Sequence, residues 1–408
     1  MYKWLNERLD LDRFNKKFLR KAFPVHPTYF FGEIALFSFV ILVITGIYLL
    51  FGYEASSKLV EVGSQKLPAA YASILAINAQ PLGMIIRYVH HFAAHLFLAS
   101  IMLHLLRVYF SGSYKKPREI NWWIGLLLLG SAIFASFSGY LLPYDAFSVT
   151  ATNIGYYLAS QIPWIGHSLA NFVFNGAFPS PGVLPRFFAY HVVIMPLIIS
   201  LLLGAHLIIM IKQKHTQPKE NKKNYEGSIL GIPLWPQQTT LMIFLFLITF
   251  GFLFIIASFY PVHPSQYFGP PTNSTPMVKP DWYFLWIYGL LKIIPNTFVI
   301  HLSKSAVIDP ESIGGIIIPS IIMLFIVLVP ILSKSNQPTY YMETPKSHPV
   351  RFAFGIAFIS FFITLSVVAY QENIGLSISF SRILAFLIPV LSWIISYALA
   401  KNKKTSKG

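Results

Sequence analysis

Four histidines in apolar surroundings carry the most specific chemistry in this chain. His90 and His104 lie fourteen residues apart in one long apolar stretch, and His191 and His206 lie fifteen apart in a second. On a helix, fourteen residues rise about 21 Å and return to within about 40° of the starting direction. Each pair therefore shares one face at two depths. Two such helices can clamp two flat cofactors, one above the other, and non-covalent, bis-His b-type haem is the candidate. A single histidine within a membrane is more often a hydrogen-bonded contact between helices. Four, in two pairs of near-identical spacing, are not explained that way. His91 and His95 act as internal controls, roughly 100° and 140° from His90, and face elsewhere.

Glycines repeat the same spacing. Gly32 and Gly46 are fourteen apart, as are Gly125 and Gly139. Glycine lets a backbone approach a flat ligand closely, and although it is common at membrane helix contacts, two pairs in register with two histidine pairs form a specific signal. Anionic propionates need cations. Arg87 and Arg107 lie three residues outside the first histidine pair, and Arg186 precedes His191. Snorkelling at the interface accounts for Arg107, but not for Arg87 and Arg186 on the side that is poor in basic residues.

The elements that hold these residues follow from composition. Of the 408 residues 55% are hydrophobic and 11% charged, with mean hydropathy +0.59. The apolar residues come in runs long enough to cross a bilayer as helices. Eight spans are predicted, near 30–50, 82–107, 121–142, 187–211, 240–259, 313–333, 351–370 and 379–400. The apolar stretch 284–300, broken by Lys292 and Pro295, reads as interfacial. The fold class is all-α integral membrane, with the first four helices as a haem-binding four-helix bundle and four C-terminal helices beside it. The expected layout is a cytoplasmic amphipathic helix over 1–28, a di-haem bundle over 29–235, a C-terminal membrane region with an outer loop over 236–400, and a basic tail over 401–408. The opening is unlike a cleaved signal peptide.

There is no cysteine, which excludes thiolate-held iron–sulfur clusters, disulfides and covalently attached haem. The net charge of +16 points to loops on one side of a membrane rather than to nucleic acid. Most of the 31 Lys and Arg fall in segments that share a side if the N-terminus is cytoplasmic. Both termini are then inside, and His90 and His191 lie near the outer face.

The stretches RYVHHFAAHLFLASIMLH, GSYKKPREINWWIG, GYLLPYD, RFFAYHVV and GPPTNSTPMVKPDWYFLWIYGLLKIIPN resemble the cytochrome b subunit of quinol–cytochrome c oxidoreductases, the cytochrome bc complexes. The resemblance covers about 24–390. FPVHPTYFFGEIALFSFVILVITG and IKQKHTQ look most like actinobacterial-type, unsplit members. It implies that His90 and His191 ligate a low-potential haem near the outside, and His104 and His206 a high-potential one near the inside. An outer quinol pocket would involve Gly139, Pro143, Tyr144, Asp281 and Tyr283, with one electron leaving to a Rieske iron–sulfur protein and the other crossing to an inner quinone site. Implied partners are that protein, a c-type cytochrome, quinone, membrane lipid and a second copy of the chain, in a prokaryotic plasma membrane.

The family's Pro-Glu-Trp-Tyr signature is here Pro280-Asp281-Trp282-Tyr283, and Tyr144 stands where Trp is usual. Leu241 and Met242 replace the Lys-Asp pair of mitochondrial inner sites. The inner pocket therefore calls on other groups, of which Lys212, Lys214, His215 and Glu226 are near. Two other classes share some features. A di-haem anchor of a hydrogenase or formate dehydrogenase has fewer spans and no outer quinol loop. A transporter without cofactor requires neither the matched histidine spacings nor the glycines in register.

Overall fold

The computed structural model describes residues 2–14, 19–219, 229–265, 267–272, 279–303, 306–333 and 337–402. Eight helices among them are long and apolar enough to cross a membrane: Pro27–Leu50, Pro81–Phe110, Glu119–Tyr140, Val183–Gln213, Leu234–Phe259, Pro310–Leu332, Pro349–Val368 and Ile378–Lys401. They coincide with the eight predicted runs to within a few residues. In lipid, backbone polar groups have to be satisfied inside the segment, so apolar runs of this length fold as helices. Several begin with proline at the first turn, where its missing N–H costs no hydrogen bond.

The fourth helix is not regular. It runs as α-helix over Val183–Ala189, widens over Tyr190–Ile194, and resumes over Met195–Gln213. Pro196 is the cause: it has no N–H for the Val192 carbonyl, and its ring crowds that carbonyl. The ladder slips, and Met195 N–H bonds to Tyr190 O, five residues back. His191 sits in this wide turn.

The first and second helices pack along their lengths, as do the third and fourth, and the seventh and eighth. The fifth lies on the second and first, and the sixth touches the third. Leu98 and Ala132 are fully buried where the first four helices close on one another, and Ala93 where the fifth helix meets the first and second, the alanines allowing close approach. Ile243, Phe244, Leu247, Ile248 and Phe252 of the fifth helix face outward, the face that lipid covers.

Connections at one end are long and ordered. Leu59–Val62 and Gln65–Pro68 form a hairpin whose turn uses Gly63 at φ +60, followed by helix Ala69–Ala79. Helices Ala146–Ser160 and Gly166–Phe174 fill the loop between the third and fourth spans. Leu141, Phe174, Val183, Leu184 and Phe187 pack beneath them with Ala70. Leu285–Ile293 is a helix of nine residues, too short to cross, packed on the seventh helix. At the opposite end Lys115 and Arg351 bind Glu343. Burial works against that carboxylate, but these two cations hold it below its ordinary pKa.

The N-terminal stretch corrects an expectation. Instead of one amphipathic helix, Tyr2–Leu9 and Leu11–Phe14 are separate, broken at Asp10, whose φ of 48 is left-handed. Ala22–Phe23 then pairs antiparallel with Ile232–Pro233, just ahead of the fifth helix. Lys16, Lys17, Phe18 and 403–408 of the basic tail lie outside the described residues.

Candidate functional site

The second and fourth helices bring their histidines face to face. The rings of His90 and His191 are 6.0 Å apart between centroids and inclined by 72°; those of His104 and His206 are 6.4 Å apart, also at 72°. A metal bound at about 2.0 Å from one nitrogen of each of two imidazoles places their centroids about 6 Å apart. Both pairs fit that requirement. The wide turn explains how spacings of fourteen and fifteen match: it absorbs the extra residue of the fourth helix.

Hydrogen bonds set the outer tautomers. His191 Nδ1 lies 2.9 Å from the Ala135 carbonyl, an acceptor only, so Nδ1 carries the proton. His90 Nδ1 lies 2.9 Å from Thr45 Oγ1, which itself donates to the Ile41 carbonyl at 2.7 Å, so this Nδ1 also donates. Each ring then offers an unprotonated Nε2, the state a metal ligand needs. In the inner pair, Nδ1 of His104 is buried without a hydrogen-bond partner among the described residues.

Each glycine faces one imidazole. A Cβ on Gly139 would lie 2.4 Å from His191 Cε1, on Gly32 3.0 Å from His104 Nδ1, on Gly46 3.3 Å from His90 Cε1, and on Gly125 3.6 Å from His206 Cε1. The first helix thus serves the second-helix histidines, and the third serves those of the fourth. The glycines make room for the rings themselves, a closer constraint than room for a flat ligand.

The three arginines are placed differently. Arg107 lines the inner cavity, stacks 4.3 Å over Tyr29, and has Nε and Nη2 buried without partners among the described residues. Those are the donors an anionic haem edge needs. Arg87 is buried but engaged, donating to Asn78 Oδ1 at 3.2 Å and to the Val262 carbonyl at 3.1 Å. Arg186 donates to the Phe172 carbonyl. Both outer arginines thus brace loops.

Beside the outer histidine pair, Asp281, Trp282 and Tyr283 come against the second helix. Tyr283 OH donates to Asp281 Oδ2 at 3.0 Å, and Trp282 Nε1 donates to His95 Nδ1 at 3.1 Å. Burial, and then the Asp281 carboxylate, push the Tyr283 phenol far above its ordinary pKa, so it remains a donor. Asp281 does not cap the helix that follows: the cap position is Phe284, without a side-chain bond. Tyr144, at φ 49, packs instead into the Leu141–Phe187 cluster. Tyr140, which sequence reasoning passed over, lies within electrostatic reach of Asp281 and Tyr283, its buried hydroxyl unpartnered among the described residues. His263 and Asp145, 3.1 Å apart, complete this wall.

The inner pair opens into a cavity of about 320 Å³ lined by Lys214, His215, Glu33, Gln238 and Met242, among others. Burial, and then Arg107, Arg118 and Lys21, push the His215 imidazole down to about 4, so it is neutral. Lys212 is exposed and does not line the cavity, and Glu226 lies outside the described residues. Glu33 was missed, although an acid within an apolar span is itself a signal.

Fold and site together define a polytopic helical membrane protein with two stacked pairs of facing histidines. Residues 95–270 match the family described as Cytochrome b(N-terminal)/b6/petB, and residues 268–388 the family described as Cytochrome b(C-terminal)/b6/petD. A cytochrome bc1 complex cytochrome b subunit from Streptomyces coelicolor is 31% identical, over 96% of this chain and 75% of its own. Proteins of the same description from Corynebacterium efficiens and Mycobacterium tuberculosis are 31% and 32% identical, each over 93% of this chain and over 74% and 72% of their own. In fold the chain resembles one from a hyperthermophilic respiratory Complex III, with a TM-score of 0.74, 22% identity and 98% of each chain covered. The chain belongs to the cytochrome b family of haem-binding electron-transport proteins.

Proposed function

We propose that the chain is the membrane subunit of a prokaryotic respiratory quinol–cytochrome c oxidoreductase, oxidising quinol at an outer site and reducing quinone at an inner one, coupled to proton translocation. His90 with His191 and His104 with His206 would each hold one b-type haem, with Arg107 and Tyr29 at the inner haem's anionic edge. When bound, these haems supply reversible one-electron transfer between the two faces. The expected partners are a Rieske iron–sulfur protein, a c-type cytochrome and a second copy of the chain, in the plasma membrane with both termini cytoplasmic. The proposed domain layout is the one drawn from the sequence, with two short helices in place of one in the N-terminal segment.

The observation that carries this reading is the contact of Trp282 with His95, five residues beyond His90 on another face of the second helix, which sets Asp281 against the helix that carries His90. Asp281 accepts a proton from a quinol hydroxyl, Tyr283 orients the carboxylate, and Trp282 walls the ring from water. The test uses the purified complex. Two b-type haems per chain and quinol-dependent reduction of a c-type cytochrome are expected. Asp281→Asn should slow quinol oxidation by about 10²-fold, the low end for loss of a general base, with both haems retained. Wild-type turnover in that variant would remove Asp281 from the chemistry, and a haem-free wild-type chain would overturn the reading.

A further inference from the structure

One carboxyl oxygen of Glu33 has no hydrogen-bond partner among the described residues. Glu33 is the one acidic side chain lining the inner cavity among the described residues. Its Oε1 accepts from Gln238 Nε2 at 2.9 Å, while Oε2 is buried without a partner among the described residues. Buried polar atoms left unpaired are rare, because each forfeits its bond to water. Oε2 is therefore the one acceptor of an acidic side chain in this wall, beside the unpartnered donors Arg107 Nε and Nη2, that a ligand or water has to satisfy. Gln238 is itself buried, in the wide turn that opens the fifth helix, and it fixes the carboxyl across from the first. One turn further on is Met242, which lines the cavity where the resemblance would place an acid. The acid has moved to the facing helix. Beside it, Gly32 makes room for the His104 ring, so Glu33 is set next to the inner histidine pair.

We propose that Glu33 is the proton donor to a quinone reduced in this cavity, with Gln238 as its positioning residue; this rests on the inner-site reading above. Reduction of one quinone takes two electrons, which two quinols oxidised in turn at the outer site supply, one each, and two protons. In one transfer the Glu33 Oε2–H bond breaks as an O–H bond forms on a quinone oxygen. The carboxylate left behind is reprotonated from water on the cytoplasmic side, and the second proton comes from the same water. The other titratable groups facing the cavity are Tyr29, Tyr114, Arg107, Arg118, Lys214, His215 and the inner histidines.

A carboxyl that merely tied the first helix to the fifth would be replaced well by glutamine, whose carbonyl still accepts from Gln238. The test is re-oxidation of the pre-reduced complex by added menadione or decylubiquinone, followed optically against pH, with quinone affinity measured by titration. Glu33→Gln should slow re-oxidation about 10²-fold with affinity unchanged, and Glu33→Asp should fall between and shift the pH profile. A wild-type rate across the accessible pH range in Glu33→Gln, or a loss explained wholly by affinity, overturns the proposal. Should Glu33→Gln lose its haem spectrum, Glu33→Asp decides: slowed with haems intact supports it, unchanged overturns it. A wild-type complex that neither quinone re-oxidises overturns the inner-site reading itself, and Glu33 with it.

Discussion

At the scale of single residues, the imidazoles set what the glycines opposite them tolerate. A real Cβ essentially never comes within 3.0 Å of another heavy atom, yet one on Gly139 would lie 2.4 Å from the His191 ring; one on Gly125 would stand off at 3.6 Å, and one on Gly130 meets nothing within 4 Å. The ring cannot swing aside freely, because its Nδ1 is held by the Ala135 carbonyl. Gly139→Ala is therefore expected to lose the outer haem and keep the inner one, halving b-type haem per chain. Gly125→Ala and the control Gly130→Ala should keep both. Haem content by pyridine haemochrome checks this, and full occupancy in Gly139→Ala would show that the ring yields.

At the scale of elements, the fourth helix shows why one residue too many still works. Fifteen residues of unbroken α-helix would turn His206 about 100° from where fourteen would put it relative to His191. The wide turn Tyr190–Ile194 removes that error, and Pro196 enforces the turn. Pro196→Ala restores an N–H and removes the ring, so the turn can close as α-helix and swing His191 off its partner. The expected result is loss or weakening of the outer haem, read from the reduced-minus-oxidised spectrum. Deleting Val193 as well, a residue 59% exposed, returns the spacing to fourteen and should restore it. An unchanged spectrum in Pro196→Ala would mean that the histidine pair, not the proline, holds the turn open.

The same helix marks how far the sequence could be read. Apolar run length is a strong local signal, so all eight spans were legible, and so was the spacing of His90, His104, His191 and His206. The wide turn was not, because its cause lies five residues from its effect. Tyr140 was passed over in favour of Tyr144, since which of two nearby aromatics faces Asp281 depends on where the third helix ends and on the left-handed turn at Tyr144. Glu33 and Gln238 are 205 residues apart, and only packing of the first helix on the fifth brings them together.

At the scale of the whole molecule, the two ends are charged differently. One end carries Lys115, Lys116, Arg118 and Lys214 within short connections and Arg351 in the first turn of the seventh helix. At the other, Arg87 and Arg186 bind protein groups, Arg382 Nε donates to the Ile293 carbonyl at 2.8 Å, and Lys58, Lys66, Lys279 and Lys292 are spread over much longer connections. Basic residues near span ends stay on the cytoplasmic side during insertion, which supports the proposal that the first end faces the cytoplasm. On the proposed function Asp281 would then release protons outward and Glu33 would draw them from within, the two directions that coupling to proton translocation requires. Reporter fusions decide the matter. An enzyme active only outside the cytoplasm should work when fused after Asn175, in the long loop beyond the third span, and fail when fused after Lys219, beyond the fourth. The reverse pattern would exchange the two faces, leave the histidine pairs where they are, and make the Asp281 side the one that takes up protons.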